Sequence, residues 1–410
     1  MLRGGAPGGL LAALEAPLER RRGEGLLRKL TGPDATEKVG LVDFSSNDYL
    51  SLAASETLAK EADAEYARAR ETWTGTRVGS TGSRLLSGNS KYHEEAEAML
   101  QTFYQGESAL LFNSGYDLNL GLFACMPQKG DVVVFDELMH NSVREGLRLS
   151  RGASRPFKHN DCEDLRAVLE QLRGDAEVGN IIVSVESVYS MDGHCAPLEN
   201  LCALCKEFDA NLVVDEAHGV GVFGKGGRGL VSSLGLDEDI LCKVCTFGKA
   251  PGVHGAALIG PSILREYMIN YCRPLIYSTS LPAHSVAFIM AAHRVMEREA
   301  EERQAKLQVL IDAFQEGLAQ ETELSRAALV SPSAVQGILI PGNKAVIRAS
   351  QALARDGFDV MPIRSPTVPR GEERLRVILH SHNTVDEVRG LLRSTLAALR
   401  ASAPEEAMSA

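Results

Sequence analysis

The sequence predicts an α/β fold with a mainly parallel sheet, and two observations carry that prediction. Short runs rich in Val and Ile alternate with helix-favouring stretches, such as residues 161–173 and 197–208. Four of the runs are each followed directly by polar residues: 132–135, 181–185, 212–214 and 240–245. Because ligands bind beyond the carboxyl ends of parallel strands, these polar residues predict one shared site at that edge.

A fifth apolar run, residues 256–259, follows a glycine-containing turn after the run 240–245. This arrangement predicts a hairpin with Lys249 near its bend, and therefore a mixed sheet. Further on, a charged helical stretch at 293–320 and a strand at 375–379 precede a final helix at 385–400. These elements predict a second, smaller unit.

The chain has 410 residues, more than one hydrophobic core usually organises, so we expect more than one domain. We divide it into four parts. They are an N-terminal helical segment at 1–45, a large ligand-binding domain at 46–285, a small C-terminal domain at 286–402 and a flexible tail at 403–410.

The formal net charge of −11 argues against a general nucleic-acid or anionic-membrane surface. No apolar run approaches the roughly 20 residues of a membrane span. Acidic residues interrupt the early arginine-rich stretch, which favours an amphipathic helix over a transit peptide. We expect a cytoplasmic protein, with peroxisomal or mitochondrial placement left open.

Among the eight cysteines are two C-x-x-C pairs, which invite a metal interpretation. Cys202 and Cys205 lie in a helical pattern and would face its core. Cys242 and Cys245 lie in a probable-strand pattern, where three-residue spacing points the thiols to opposite faces. We therefore expect buried thiols that act as small hydrophobes, no metal, and a reducing compartment.

Lys249 is the first candidate for chemistry. It follows an apolar run and lies among glycines that let another group approach closely. A partly desolvated lysine has a lowered pKa and forms an imine with an aldehyde. Taken alone, the residue is equally consistent with an exposed lysine in a turn.

Asp215 and His218 follow the run 212–214. A carboxylate at a buried strand end needs a cationic partner, and a protonated pyridine nitrogen is one such partner. A structural salt bridge or a helix N-cap is the alternative for Asp215. The presence of His218 and of Lys249 downstream favours a cofactor.

Three further features support a cofactor site. Ser114-Gly115-Tyr116 precedes a helical stretch, and the amides at a helix start form an anion site suited to phosphate. His140 could stack on a planar ring, although a lone histidine is more often structural. Arg374 and Arg376 alternate on a strand and share a face, where one of them could bind a carboxylate or both could be solvated.

Together these segments resemble the α-oxoamine synthases, a family of fold-type-I pyridoxal-phosphate enzymes, from about residue 18 to about residue 399. The resemblance rests on eight motifs in order: Asn47-Asp-Tyr-Leu50, Gly79-Ser-Thr-Gly-Ser-Arg84, Ser114-Gly-Tyr116, Ser190-Met-Asp-Gly193, Asp215-Glu-Ala-His-Gly219, Thr246-Phe-Gly-Lys249, Tyr277-Ser-Thr-Ser280 and Arg374-Leu-Arg376. It implies a mainly parallel seven-stranded sheet, a smaller α+β C-terminal domain, and a homodimer with shared active sites.

The resemblance also implies roles for individual residues. The cofactor, pyridoxal 5'-phosphate, is attached to Lys249, which also moves the substrate proton, and Asp215 pairs with the ring nitrogen. Three side chains contact the ring: His140, Ser190 and His218. Five residues hold the phosphate: Gly115, Tyr116, Thr246 and, from the other subunit, Ser278 and Thr279. Four residues bind substrates: Asn47, Arg376 for the amino-acid carboxylate, and Arg28 and Thr367 for acyl-CoA.

The implied activity is a decarboxylative condensation of an amino acid with an acyl-CoA. The stretch 363–369 is similar to the family member that joins L-alanine to pimeloyl-CoA in biotin biosynthesis. Glycine C-acetyltransferase, 5-aminolevulinate synthase and long-chain acyl relatives stay open, as do a non-catalytic scaffold and another fold-type-I aminotransferase or decarboxylase. His254 and His380 depart from the family pattern, and we expect His380 near the substrate mouth.

Overall fold

The structure is a computed structural model that describes residues 9–24, 26–28, 40–74 and 78–402. The tail predicted at 403–410 lies outside the described residues. The described strands are β1 Val42–Asp43, β2 Ser108–Phe112, β3 Val132–Asp136, β4 Ala153–Phe157, β5 Ile181–Glu186, β6 Ala210–Asp215, β7 Cys242–Thr246, β8 Ala256–Gly260, β9 Ala328–Leu329, β10 Val335–Leu339, β11 Phe358–Asp359, β12 Met361–Ile363 and β13 Arg374–Ile378.

Helices alternate with most of these strands. The described helices are α1 Leu10–Gly23, α2 Glu56–Ala69, α3 Lys91–Tyr104, α4 Gly115–Cys125, α5 Asn141–Leu149, α6 Cys162–Arg173, α7 Leu198–Glu207, α8 Leu230–Ser233, α9 Ser262–Tyr271, α10 Arg273–Tyr277, α11 Ala283–Gln320, α12 Thr322–Ala327, α13 Asn343–Arg355 and α14 Val385–Ser402. A π-helical turn at Arg70–Thr74 and a 3₁₀ turn at Lys225–Gly227 complete the set.

A seven-stranded sheet forms the centre of the larger unit, in the order β2-β8-β7-β6-β5-β3-β4. Four of its six pairings are parallel, and β8 runs antiparallel to both of its neighbours. The hairpin predicted around Lys249 is β7 and β8, paired from Lys243 with Ile259 to Thr246 with Ala256. The predicted mixed, mainly parallel sheet is confirmed.

The central strands are buried on both faces, as their Val- and Ile-rich runs require. All six residues of β5 are buried. Separate apolar clusters pack on the two sides, one with α6 and α7 and one with α4 and α5. Cys242 and Cys245 point into different clusters, as predicted, whereas Cys202 and Cys205 are buried together on α7. All eight thiols are free.

A four-stranded antiparallel sheet, in the order β12-β13-β10-β9, forms the smaller C-terminal unit. The 38-residue helix α11 leads into it, and α13 and α14 belong to the same part of the chain. The parallel bridge of β1 with β11 ties the start of the large unit to the small one. The predicted boundary between residues 285 and 286 falls inside α11, and the four-part division stays a prediction.

The predicted N-terminal helix is present as α1, but it buries no side chain against this chain. Four of its leucines are exposed: Leu10, Leu11, Leu14 and Leu18. Within the described part of the chain, no helix combines the length and the apolar character needed to cross a bilayer.

Candidate active site

The carboxyl ends of four parallel strands meet at one edge of the large sheet. Glu186 at the end of β5 is in register with Asp215 at the end of β6, which is in register with Val244 on β7. Lys249 follows three residues after the end of β7. The polar residues that follow these strands therefore lie at one edge of the sheet, where the sequence predicts a shared site.

Lys249 is half-buried in the tight connection between β7 and β8. Burial lowers the pKa of its amine to about 8, against the opposing effect of the Asp215 and Glu186 charges, and Arg376 adds to the lowering. At pH 7 about a tenth of the amine is therefore neutral and nucleophilic, far more than for an ordinary lysine.

Asp215 is buried and held from two sides. One carboxylate oxygen accepts the backbone N–H of Ala217 at 2.9 Å, and the other accepts Nδ2 of Asn119 at 2.7 Å. Asn119 also donates to Ser142 at 3.1 Å, and Ser142 Oγ lies 2.8 Å from Nδ1 of His140. A hydrogen-bonded chain thus fixes Asp215 relative to the exposed ring of His140.

Glu186 lies beside Asp215 and is fully buried. Burial, together with the neighbouring charge of Asp215, raises the pKa of Glu186 well above its ordinary value. Its Oε1 has no hydrogen-bond partner among the described residues. Two adjacent carboxyl groups in one buried site do not both ionise readily, so the pair carries close to a single negative charge.

His218 is buried behind the site, and its Nδ1 hydrogen-bonds the hydroxyl of Tyr49. Burial and the positive charges of Lys249 and Arg376 lower the pKa of His218 well below its ordinary value, so the ring is neutral. Burial raises the pKa of Tyr49 to about 12, so its hydroxyl keeps its proton. The Tyr49 hydroxyl can donate to Nδ1 or accept from it, so this contact holds the neutral imidazole in either tautomer.

Arg376 reaches the site from β13 of the smaller unit and is buried. Its Nε donates to the carbonyl oxygen of Ser190 at 2.6 Å, and its Nη2 donates to Oδ1 of Asn47 at 3.0 Å. Tyr49 donates to the same Asn47 oxygen at 3.2 Å. One hydrogen-bond network therefore links four predicted or motif residues, Ser190, Arg376, Asn47 and Tyr49, to His218.

Arg374 shares the face of β13 with Arg376, as predicted, but is held differently. It donates to the carbonyl and the carboxylate of Glu372 at 2.9 and 3.2 Å. Of the two arginines, Arg376 is therefore the one connected to the Lys249 site.

The start of α4 approaches the end of β7 closely. A Cβ added to Gly115 would lie 2.3 Å from Cγ2 of Thr246, so no larger residue fits without a shift. The side chain of Ser114 caps the helix by accepting the N–H of Asp117 at 3.1 Å. Thr246 Oγ1 is buried without a hydrogen-bond partner among the described residues. Tyr116 is exposed, and its ring meets that of His140 edge-on at 6.5 Å.

These features fit pyridoxal phosphate. The unpartnered hydroxyl of Thr246 and the free amides at the start of α4 suit its phosphate. Asp215 is a buried anion for the ring nitrogen, and Lys249 is a reactive amine for the aldehyde.

The remaining predicted residues are Ser278, Thr279, Arg28 and Thr367. Ser278 lines a pocket with Asn113, and the carbonyl oxygen of exposed Thr279 accepts Nδ2 of Asn113 at 2.9 Å. Arg28 and Thr367 both line a groove of about 390 Å³. The groove thus brings together the two residues predicted for acyl-CoA.

The predicted place of His380 at the substrate mouth is wrong. His380 is fully buried, and its Nε2 lies 3.0 Å from both the hydroxyl and the carbonyl oxygen of Ser46. It supports the backbone next to Asn47 instead. His254 is exposed in the turn between β7 and β8.

Sequence reasoning missed Asn119 and Ser142, and it placed Glu186 among the polar residues at the strand ends without giving it a role of its own. Asn119 and Ser142 lie inside helical patterns that carry no signal of chemistry. Glu186 could have been given a role, because it directly follows the run 181–185 in the way that Asp215 follows 212–214.

Comparison with known proteins gives one family match and several similar proteins. Residues 39–392 match the profile of the family described as aminotransferase class I and II. The 8-amino-7-oxononanoate synthase of Emericella nidulans is 39% identical over 403 residues, which cover 95% of this chain and 96% of that protein.

Two solved structures are also similar. A serine palmitoyltransferase of S. paucimobilis, with bound PLP and myriocin, superposes with a TM-score of 0.83. The two sequences are 27% identical, and the match covers 96% of this chain and 99% of that one. The 8-amino-7-oxononanoate synthase of Francisella tularensis gives a TM-score of 0.72 at 26% identity, covering 88% and 98%.

Proposed function

Because this chain belongs to the aminotransferase class I and II family, and within it to the pyridoxal-phosphate-dependent α-oxoamine synthases, we propose that it condenses L-alanine with pimeloyl-CoA. The products are 8-amino-7-oxononanoate, CoA and CO₂, in a step of biotin biosynthesis. A bond forms between the α-carbon of alanine and the thioester carbonyl carbon. The CoA thiolate leaves that carbonyl, and the alanine carboxylate leaves as CO₂.

The observation that carries the chemistry is the position of Lys249 beside Asp215 and Glu186, with a pKa of about 8. A lysine with an ordinary pKa would be almost fully protonated near neutral pH and would neither attack an aldehyde nor accept a proton. The choice of alanine and pimeloyl-CoA is supported by the name of the E. nidulans relative.

When bound, pyridoxal phosphate supplies an electron sink for the negative charge that develops at the α-carbon. In this proposal Asp215 keeps a proton on the ring nitrogen, and the hydrogen bond from Asn119 keeps Asp215 in place. Lys249 removes the α-proton as a general base. His140 covers one face of the ring, and His218 and Ser190 contact its phenolic oxygen.

Arg376 is proposed to bind the carboxylate of the amino acid. Its guanidinium is already oriented by Asn47 and by the carbonyl oxygen of Ser190. An oriented planar guanidinium binds a carboxylate with two parallel hydrogen bonds. This contact would place the α-carbon of the substrate within reach of Lys249.

The groove that contains Arg28 and Thr367 is proposed to take the CoA part of the thioester. Arg21 and Arg364 line the same groove. Guanidinium groups are suited to phosphates, and CoA carries several.

A substrate panel tests the assignment. Steady-state kcat/KM is measured for pimeloyl-, acetyl-, succinyl- and palmitoyl-CoA, each with alanine, glycine and serine. Pimeloyl-CoA with alanine is expected to give the highest value. A different best pair would assign the chain to a sister synthase, and the similarity to serine palmitoyltransferase makes palmitoyl-CoA with serine the pair to compare most carefully.

Absorption spectroscopy of the same protein tests whether the chain is a catalyst at all. Purified protein supplied with pyridoxal phosphate is expected to show visible cofactor absorption that changes when alanine is added. Lys249→Ala is expected to lose both that absorption change and the condensation. If this variant kept both the absorption change and the condensation activity, the catalytic role proposed for Lys249 would be wrong.

We further propose a cytoplasmic homodimer in which Ser278 and Thr279 complete the phosphate site of the other subunit. Mixing Lys249→Ala subunits with Ser278→Ala, Thr279→Ala subunits tests this arrangement. In a mixed dimer one site keeps its own Lys249 and receives an intact Ser278 and Thr279 from the other subunit. Activity should therefore return on mixing, and its failure to return in proven mixed dimers would contradict the arrangement.

A further inference from the structure

A cluster of two histidines and an aspartate lies beside the candidate active site. His159 follows β4, whereas Asp192 and His194 lie in the connection between β5 and α7. Nε2 of His159 is 3.0 Å from Nδ1 of His194, and Oδ2 of Asp192 is 3.7 Å from the same Nδ1. The two rings stack with centroids 5.2 Å apart. In the part of the chain that is described, this is the one group of three or more potential ligand side chains whose donor atoms all lie within 4.8 Å.

A buried carboxylate orients His159 from behind. Both oxygens of Asp136, which is fully buried, lie 3.1 Å from Nδ1 of His159. The backbone N–H groups of Leu138 and Asn160 hold that carboxylate at 2.8 and 2.9 Å. Nδ1 is therefore the protonated nitrogen, and Nε2 is the atom directed toward His194. A carboxylate that fixes the far nitrogen of an imidazole is the usual outer-shell partner of a metal-binding histidine.

The spacing of the three ligand atoms suits a tetrahedral ion. Zn²⁺ binds imidazole nitrogen and carboxylate oxygen at about 2.0–2.2 Å, which separates two ligand atoms by about 3.3–3.5 Å. The observed separations of 3.0 and 3.7 Å at Nδ1 of His194 bracket that value, so small side-chain movements suffice.

The local charge also favours a cation. The carboxylate of Asp136 lies against Nδ1 of His159, Glu137 accepts the backbone N–H of His159 at 3.1 Å, and Asp192 lies beside His194, so negative charge surrounds the cluster. The site also remains reachable, since the side chains of His159 and His194 are 17% and 35% exposed. Arg374 interacts electrostatically with Asp192, and its positive charge opposes the binding of a metal cation there.

We propose that His159, His194 and Asp192 form a binding site for a divalent transition metal, with Zn²⁺ as the ion that best fits the ligands. The fourth coordination position is left for water. This proposal departs from the expectation of no metal, which rested on the spacing of the cysteines. Its ligands come from segments that are 33 residues apart in sequence, from His159 to Asp192, and only the fold brings them together.

The metal site adjoins the candidate active site through one short loop. Ser190, at the start of the loop that carries Asp192 and His194, accepts the hydrogen bond from Nε of Arg376. Gly193 of the same loop packs against Ser331 and Ser333 of the smaller unit. A bound ion would therefore fix a loop that touches both parts of the chain.

Titration of the dialysed holoenzyme with Zn²⁺ against a chromophoric chelator tests the proposal. The wild-type protein is expected to bind one Zn²⁺ per chain in the micromolar range and to gain thermal stability on binding. His159→Gln and His194→Gln should each weaken binding by at least about tenfold. His284→Gln, which changes an exposed histidine at the start of α11, is the matched control and should bind as the wild type does.

Thermal unfolding in the presence of a chelator shows whether each metal-free variant still folds. The partly exposed His194 is expected to be replaceable with little change in the metal-free unfolding temperature, so this variant decides the question if His159→Gln folds poorly. The proposal fails if the wild-type protein shows no saturable site in the micromolar range. It also fails if a folded His194→Gln keeps wild-type affinity. Neither result depends on which substrates the enzyme uses.

Discussion

The hydroxyl of Tyr49 hydrogen-bonds Nδ1 of His218 at the base of the candidate active site. The two residues are 169 positions apart, and both are buried. The bond holds the neutral imidazole in place, and Tyr49 also donates to Asn47, the neighbour of Arg376. The histidine proposed to contact the cofactor and the arginine proposed to bind the substrate carboxylate are therefore positioned by the same tyrosine.

Tyr49→Phe is expected to reduce kcat/KM while the protein stays folded. The change leaves Nδ1 of His218 buried without its partner, at a cost of about 1–3 kcal/mol. We expect roughly a tenfold loss in kcat/KM and a shifted cofactor absorption spectrum. Tyr66→Phe, on helix α2, is the control and should leave both unchanged. An unaltered spectrum and rate in Tyr49→Phe would show that the bond does not position His218.

Arg376→Lys is expected to raise the KM for the amino acid. A lysine keeps the positive charge but loses the planar pair of donors and the bonds to Asn47 and Ser190. Hydrogen bonds to charged groups contribute about 1.5–3 kcal/mol, so we expect an increase of roughly 10- to 100-fold. Arg374→Lys is the matched control on the same strand face, and it should change the KM by much less. Equal effects of the two changes would contradict the assignment of the carboxylate to Arg376.

The attachment of pyridoxal phosphate to the apoprotein is expected to depend on pH with a midpoint near 8. Lys249 reacts only as the neutral amine, and burial lowers its pKa to about 8, so the reactive fraction rises with pH. Between about pH 7 and about pH 9 the rate constant should increase about tenfold and then level off.

Stopped-flow absorbance follows this reaction, and Nα-acetyl-lysine serves as the unperturbed control. The control should keep accelerating toward its ordinary pKa of about 10.4. A protein rate that follows the control, without levelling, would show that the amine of Lys249 is not desolvated as the structure indicates.

Gly115→Ala is expected to weaken binding of pyridoxal phosphate. The added methyl group would lie 2.3 Å from Cγ2 of Thr246 and would push apart the two elements proposed to hold the phosphate. We expect a loss of affinity of about tenfold or more, corresponding to about 1–3 kcal/mol of overpacking. Gly79→Ala is the control, because a Cβ there meets nothing within 4 Å. Cofactor titration monitored by absorbance distinguishes the two, and an unchanged affinity in Gly115→Ala would argue against a phosphate at the start of α4.

Much of the fold could be predicted because its signals are local. Each predicted central strand is present within about two residues, as with β5 at Ile181–Glu186 and β7 at Cys242–Thr246. The faces of the four cysteines in the two C-x-x-C pairs also followed from helix and strand periodicity alone. His380 was misplaced because its partners, Ser46 and Asn383, include one that is more than 300 residues away.

The sequence by itself determined the α/β class, the edge of the sheet where polar residues collect, and the candidates Lys249 and Asp215. These features follow from strand runs and from the residues that end them, which are contiguous in the chain. Only the tertiary structure decided that Asn119 and Ser142 connect Asp215 to His140, that Arg376 and not Arg374 reaches the site, and that His159 meets His194. Such contacts join segments far apart in sequence, and burial and hydrogen bonding select them only once the chain has packed.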